Sequence, residues 1–266
     1  MRLGFIGAGN MGGAIIRGYI TLGGGAPADI TAYDADSGKL GELAARLGIG
    51  KADSIGGLVD VCDTVILAVK PGNFEEVLPL VAERLRPDQI VVSMAAGVSI
   101  GFIEGYLGAS AKIVRIMPNT PAMVGESMTA VSKNKNVAAE EAAGVMALLG
   151  SIGRAEAVDE SLMDAVTGLS GSSPAYVYMF IDALAKGAAR NGMDEGQARV
   201  FAAQAALGAA RMVMETGTDP VTLRENVCSP GGTTIEAVKA LQGRGFEETV
   251  MEAMQAAVEK SKALTK

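Results

Sequence analysis

Between Asn226 and Glu236 the chain reads Asn-Val-Cys-Ser-Pro-Gly-Gly-Thr-Thr-Ile-Glu. A Pro-Gly-Gly turn with hydroxyl side chains stands directly ahead of an apolar helical pattern. The first backbone N–H groups of a helix have no intrahelical partners, so this start offers donors to an anion such as a carboxylate.

A second anion-binding pattern lies at the other end of the sequence. Gly7-Ala8-Gly9-Asn10-Met11-Gly12 follows an apolar strand pattern and opens a helical one. In that context G-x-G-x-x-G is a dinucleotide-binding motif: the glycines permit a tight turn and close approach of a pyrophosphate, and the helix start supplies N–H groups and a positive dipole end. The next strand pattern ends at Tyr33-Asp34. An acidic residue there can bond the ribose 2′-hydroxyl of NAD and repel the 2′-phosphate of NADP. Asp36 adds negative charge and Lys39 is the only close cation, so these residues lean toward NADH. The alternative role for Asp34 is to cap the following helix.

Three further strand ends carry polar or small residues where ligands of open α/β sheets bind. Ala68-Val69-Lys70-Pro71 holds a lysine able to reach a ribose or phosphate, or to stand free in solvent. Ser93-Met94-Ala95-Ala96-Gly97 leaves room for a flat ring. Met117-Pro118-Asn119-Thr120-Pro121 is a loop whose two prolines forbid continuation of the strand.

The composition restricts the chemistry. There is no histidine and there are only two cysteines, Cys62 and Cys228, far apart in sequence. Zinc sites of the usual kind and any imidazole base are excluded, no metal is expected, and Cys62 reads as a buried apolar residue. The net charge is −7, from 23 basic and 30 acidic residues, with no long basic cluster. Neither nucleic acid nor an anionic membrane surface is an expected partner. No apolar run approaches the roughly 18–20 residues of a membrane span, and no signal peptide precedes the first strand at Leu3, so a cytoplasmic protein is expected. A mean hydropathy of +0.28 implies that apolar surface is buried between subunits.

The elements that must position these groups fall into two kinds. Leu3–Ile6, Ile30–Tyr33, Thr64–Val69, Ile90–Met94 and Ile113–Met117 are short Val/Ile-rich runs of the kind that form buried parallel strands. Met128–Ser132 and Ala155–Val158 read as two more. Helical patterns alternate with them, at Met11–Thr21, Ser37–Leu47, Phe74–Arg84 and Ala138–Leu149. Such alternation predicts a doubly wound sheet of Rossmann type over residues 1–158. From 159 to 266 the strand signal disappears, and Leu162–Arg190, Asp194–Glu215, Thr234–Gln242 and Phe246–Ala263 predict an all-helical domain. Pro174, inside the first of these, predicts a kink.

Gly-Ala-Gly-Asn-Met-Gly, Val-Lys-Pro, Met-Pro-Asn-Thr-Pro, Thr167-Gly-Leu-Ser-Gly-Ser and Ser229-Pro-Gly-Gly-Thr-Thr occur in that order. Together they resemble the pyrroline-5-carboxylate reductase family, over nearly the whole chain. The resemblance implies reduction of 1-pyrroline-5-carboxylate to L-proline with NADPH or NADH. It also implies a dinucleotide-binding domain joined to a helical dimerisation domain, an active site at the dimer interface, and dimers that commonly assemble into decamers. By the same resemblance Gly7, Ala8, Gly9, Asn10, Met11, Val69, Lys70, Ala95, Ala96 and Asn226 belong to the cofactor site. Gly231, Gly232 and Thr233 match the loop whose amides hold the substrate carboxylate, and Thr234, the expected catalytic residue, matches the hydroxyl that bonds the ring nitrogen. Glu160 matches an acidic residue near the substrate, its alternative being a helix-start carboxylate favoured by the dipole. Two departures stand out. Ser173 occupies a position that is commonly glycine in the family, and Tyr33-Asp34-Ala35-Asp36 replaces the Ser and Arg residues often found around the 2′-phosphate, against the family habit of NADPH.

Two other readings are weaker. The β-hydroxyacid dehydrogenase group carries a lysine shortly after a Gly-x-x-Gly segment, whereas here Gly168-Leu-Ser-Gly171 is followed by Pro174, and the next lysine, Lys186, is too distant. A non-catalytic dinucleotide sensor has no need of the second anion site at Ser229–Thr234.

Overall fold

The protein was studied as a computed structural model, which describes residues 1–265. Its N-terminal part runs β1 (Leu3–Ile6), α1 (Asn10–Thr21), β2 (Ile30–Tyr33), α2 (Ser37–Leu47), β3 (Gly50–Lys51), α3 (Ile55–Val61), β4 (Thr64–Leu67), α4 (Phe74–Ala82), β5 (Ile90–Ser93), α5 (Ile100–Leu107), β6 (Lys112–Met117), β7 (Ser127–Lys133), α6 (Ala139–Gly150) and β8 (Gly153–Ala157). It continues as α7 (Met163–Val166), α8 (Ser173–Arg190), α9 (Glu195–Thr216), α10 (Pro220–Asn226), α11 (Thr233–Gln242) and α12 (Phe246–Leu264).

The strands form one sheet in the order β3-β2-β1-β4-β5-β6-β7-β8. All neighbours are parallel except β6 and β7. Every residue of β1, β4 and β5 is buried, because helices cover both faces and each needs an apolar partner. One core layer contains Leu3, Phe5, Ile15 and Ile66, the other Ile6, Leu58, Leu67 and Phe74. Alternate residues of a strand thus serve opposite layers. Cys62 lies in the second layer, and burial pushes its thiol up to about 11, which keeps it protonated and inert at neutral pH.

The order of connection reverses at β1, whose neighbours are β2 on one side and β4 on the other. Such a switch point opens a crevice at the carboxyl ends of the strands. The chain leaves them side by side: the Ala68 amide bonds the Ile6 carbonyl, and the Met94 amide bonds the Leu67 carbonyl.

Two compact units are present. One comprises Met1–Ser172 and the stretch from Ala257 onward; the other is Ser173–Ala256. The division falls later than the change of texture at residue 159 because the segment after β8 packs back on the sheet domain. Met163 is buried in a small cluster with Met117 and Ala130. The returning stretch is tied down by a 2.6 Å hydrogen bond from Ser261 Oγ to Asp164 Oδ1.

The single helix predicted over Leu162–Arg190 is interrupted. A π-helical turn at Thr167–Gly171 separates α7 from α8, with Pro174 in the first turn of α8. Proline there has no N–H to give to the carbonyl four residues back, that of Ser170. The Asn119 side-chain amide takes that acceptor at 2.9 Å. Strand β3 and helices α3, α5 and α10 were not foreseen. β3 is two exposed residues without an apolar pattern, and the three helices span eight residues or fewer.

In the second unit α8 and α9 meet through Ala185, Ala198 and Ala202. Most of their large apolar side chains remain outside, including Tyr178, Met179, Val200 and Phe201.

Candidate active site

The glycine turn meets the geometric demands of a dinucleotide. Gly7 has φ +101°, and a Cβ there would lie 2.6 Å from the Ala68 carbonyl oxygen. Gly12 is packed so closely that a Cβ would meet the Gly7 carbonyl oxygen at 2.5 Å. At Gly9 nothing lies within 4 Å of the same position. One glycine makes the turn, one lets helix and strand pack, and the middle one leaves open the space a pyrophosphate needs. Gly9 is also the N-cap of α1 and supplies no side-chain cap, so the amides of Asn10 and Met11 face outward to an anion.

Asp34 follows β2 and is held on both carboxylate oxygens. Oδ2 accepts from the Ala8 amide at 2.7 Å, and Oδ1 from the Asp36 amide at 2.9 Å. The helix-capping role considered for Asp34 belongs instead to Asp36, which accepts from the Lys39 amide at the start of α2. Asp34 is therefore fixed against the glycine turn, with lone pairs left for ribose hydroxyls. Asp34, Gly7, Gly9, Val69 and Lys70 line one cavity of about 560 Å³. Ala95 and Ala96 are placed at the end of β5 and do not line it. Ala95 is buried, and Ala96 packs against the Met117 cluster.

Glu160 stands on the same unit, in the first turn after β8. Its Oε1 accepts from the Ile100 amide at 2.7 Å and from Arg115 Nη1 at 3.1 Å. Arg115 is 4% exposed, and its Nη2 has no hydrogen-bond partner among the described residues. In the sequence this arginine is marked only as a lone cation inside the apolar run Ile113–Met117, a signal not among those that pointed to the site. Asn119 is also buried. Besides holding Ser170, it accepts at Oδ1 from Ser127 Oγ and from the Met128 amide, so the Pro-Asn-Thr-Pro loop is fastened to β7 and to the π turn together.

The remaining expected residues belong to the second unit. Ser229-Pro230-Gly231-Gly232 is a turn closed by the Gly232 amide on the Ser229 carbonyl at 3.0 Å. Gly231 has φ +70°, the left-handed conformation this turn requires after proline. Gly232 is the N-cap of α11 and contributes no side-chain cap. The first amides of α11 thus keep their donors, beside the exposed Thr233 and Thr234. Asn226 ends α10, is exposed, and is joined to the turn through Val227 and Cys228.

Comparison with known proteins matches both ends of this arrangement. Residues 2–97 fit the family model described as NADP oxidoreductase, coenzyme F420-dependent, and residues 160–264 fit that described as pyrroline-5-carboxylate reductase dimerisation. The pyrroline-5-carboxylate reductase of Escherichia coli K12 is 46% identical over 265 residues, covering 100% of this chain and 98% of that protein. That of Methanosarcina acetivorans is 41% identical with the same coverage. The structure of a pyrroline-5-carboxylate reductase from Coxiella burnetii superposes with a TM-score of 0.93 at 34% identity, over 100% of this chain and 98% of that one. The Plasmodium falciparum enzyme, solved with NADP bound, gives 0.91 at 32% identity over the same shares. On this full-length likeness in sequence and in fold, the chain belongs to the pyrroline-5-carboxylate reductase family.

Proposed function

We propose that the protein reduces 1-pyrroline-5-carboxylate to L-proline with NAD(P)H, the last step of proline biosynthesis. The observation that carries this reading is the 46% identity to a pyrroline-5-carboxylate reductase along the whole chain. The cofactor supplies a hydride, whose acceptor is the imine carbon of a five-membered ring. The protein's own contribution is to bind and orient. The amides at Gly9, Asn10 and Met11 hold the pyrophosphate, Asp34 takes ribose hydroxyls, and Val69, Lys70, Ala95, Ala96 and Asn226 complete the cofactor site. The amides of Gly231, Gly232 and Thr233 grip the substrate carboxylate, and Glu160 stands near the substrate.

No histidine exists to protonate the imine. The substrate binds as the iminium, and the Thr234 hydroxyl is the partner of its ring nitrogen. Holding donor and acceptor face to face is worth several kcal/mol of barrier, about 7–11 kcal/mol at best. The dinucleotide-binding role falls to the unit of Met1–Ser172 and the dimerisation role to Ser173–Ala256, later than the boundary at residue 159 that the sequence suggests. The enzyme is a cytoplasmic homodimer, and dimers assemble into decamers.

The test is spectrophotometric. With 1-pyrroline-5-carboxylate present, the absorbance of the reduced cofactor falls and L-proline accumulates in equal amount. No loss of absorbance with either NADH or NADPH rejects the reading.

A further inference from the structure

A second cavity, of about 420 Å³, lies on the other flank of the glycine turn. It is lined by Ala8, Gly9, Asn10 and Leu43 and by three cations, Arg17, Lys39 and Arg46, with one carboxylate, Glu42. Lys39 is the only cation close to Asp34 in sequence; folding adds two more. Arg17 is one turn beyond Gly13 on α1. Because Gly13 has no side chain, the Arg17 guanidinium comes within 3.9 Å of where its Cβ would lie, next to the Ala8 carbonyl oxygen and Leu43. Lys39, Glu42 and Arg46 recur at helical spacing on one face of α2. Lys39 is paired with Asp36 at 3.1 Å, whereas neither Arg17 nor Arg46 forms an ion pair among the described residues.

The bay adjoins the place where a ribose would be held. Ala8 gives its amide to Asp34 and also lines the bay, and Gly9 borders both cavities. We propose that Arg17, Lys39 and Arg46 form a subsite for the 2′-phosphate of NADP(H), which offsets the repulsion from Asp34 and lets one chain use both cofactors. The inference rests on the reading of the glycine turn as a dinucleotide site. A phosphomonoester carries about 1.5–2 negative charges at neutral pH, and guanidinium groups match its geometry in bidentate fashion. Glu42 opposes it and holds the affinity down. Asp34 rewards a free 2′-hydroxyl while the arginines reward its phosphate, so the residues that set cofactor choice are divided between the end of β2 and the bodies of α1 and α2.

The experiment measures equilibrium binding to the full-length protein by calorimetry, with no turnover involved. The probes are NAD+, NADP+, 5′-ADP, 2′,5′-ADP and inorganic phosphate. Wild type binds 2′,5′-ADP more tightly than 5′-ADP. Arg17→Ala with Arg46→Ala weakens NADP+ and 2′,5′-ADP by about tenfold or more and leaves NAD+ within about twofold, a loss of about 1.4 kcal/mol confined to the phosphorylated ligands. Glu42→Gln, which keeps shape and removes charge, shifts NADP+ the other way. Raising salt reproduces the loss for NADP+ more than for NAD+. If the double variant binds all dinucleotides as wild type does, or loses NAD+ and NADP+ alike, the subsite is rejected while the function stands. Competition by inorganic phosphate that equals that of 2′,5′-ADP means an anion patch unconnected with the ribose and also rejects it. A wild type that binds neither NAD+ nor NADP+ overturns the dinucleotide reading itself.

Discussion

At the scale of single residues, the hydroxyl of Thr234 carries the chemistry proposed for the second unit. It is exposed, in the first turn of a helix whose N-cap is a glycine, so nothing in its own fold occupies it. Thr234→Ala is expected to lower kcat about a hundredfold, the scale of removing one positioned hydrogen-bonding group, with NAD+ binding unchanged. Thr234→Ser, which keeps the hydroxyl, should recover most of the rate. Stopped-flow and steady-state measurements on the two variants decide it: equal turnover by the alanine variant removes Thr234 from the mechanism. Residues of this kind were legible because their signals are local. The glycine spacing, the Pro-Gly-Gly turn and the acidic end of β2 each lie within a few positions of one another. Arg115, and the arginines at 17 and 46, were not legible. Their roles come from packing between elements far apart in the chain, which no short window of sequence contains.

At the scale of elements, Glu160 ties three pieces together. It joins the turn after β8 to Arg115 on β6 and to the first amide of α5. Removing one partner of a buried pair leaves the other uncompensated, which costs about 3–5 kcal/mol. The Glu160 side chain is 31% exposed, which places Glu160→Ala at the low end, about 3 kcal/mol. Urea unfolding should show a lower midpoint with an unchanged slope. A midpoint equal to wild type means that the pair contributes nothing. Strand β1 was legible from end to end because a parallel strand buried along its whole length is built of apolar residues. The break between α7 and α8 was only half legible. Pro174 announced a disturbance, but its form, a π turn secured by Asn119, depends on a loop 51 residues before Ser170 in the chain.

At the scale of the whole molecule, the second unit exposes more apolar surface than a lone domain keeps. Met179 is 73% exposed, Val200 68% and Phe201 61%, on the two helices that also share its small core. Exposed apolar area of this extent marks an interface, and the model matched there is one for dimerisation. Phe201→Glu together with Met179→Glu should shift the mass seen by light scattering from dimer or larger to monomer, and turnover should fall with it. An unaltered mass at micromolar concentration would place the interface elsewhere. The high hydropathy of the sequence announced such a surface but could not say which faces carry it.

The return of α12 to the first unit has a consequence for how the protein is made. Gly97, at φ +73°, lies against Leu264, and a Cβ there would come within 2.8 Å of its carbonyl oxygen. Ser261 is buried against Asp164. The sheet domain therefore lacks part of its own wall until all of Ser173–Ala256 has left the ribosome. At about 5–20 residues per second, that is a delay on the order of ten seconds. During it the nascent domain exposes the surface that the stretch from Ala257 to Leu264 will cover. A stalled or truncated chain ending before Ala257 would be a client for chaperones, although its nucleotide-binding motif is already complete.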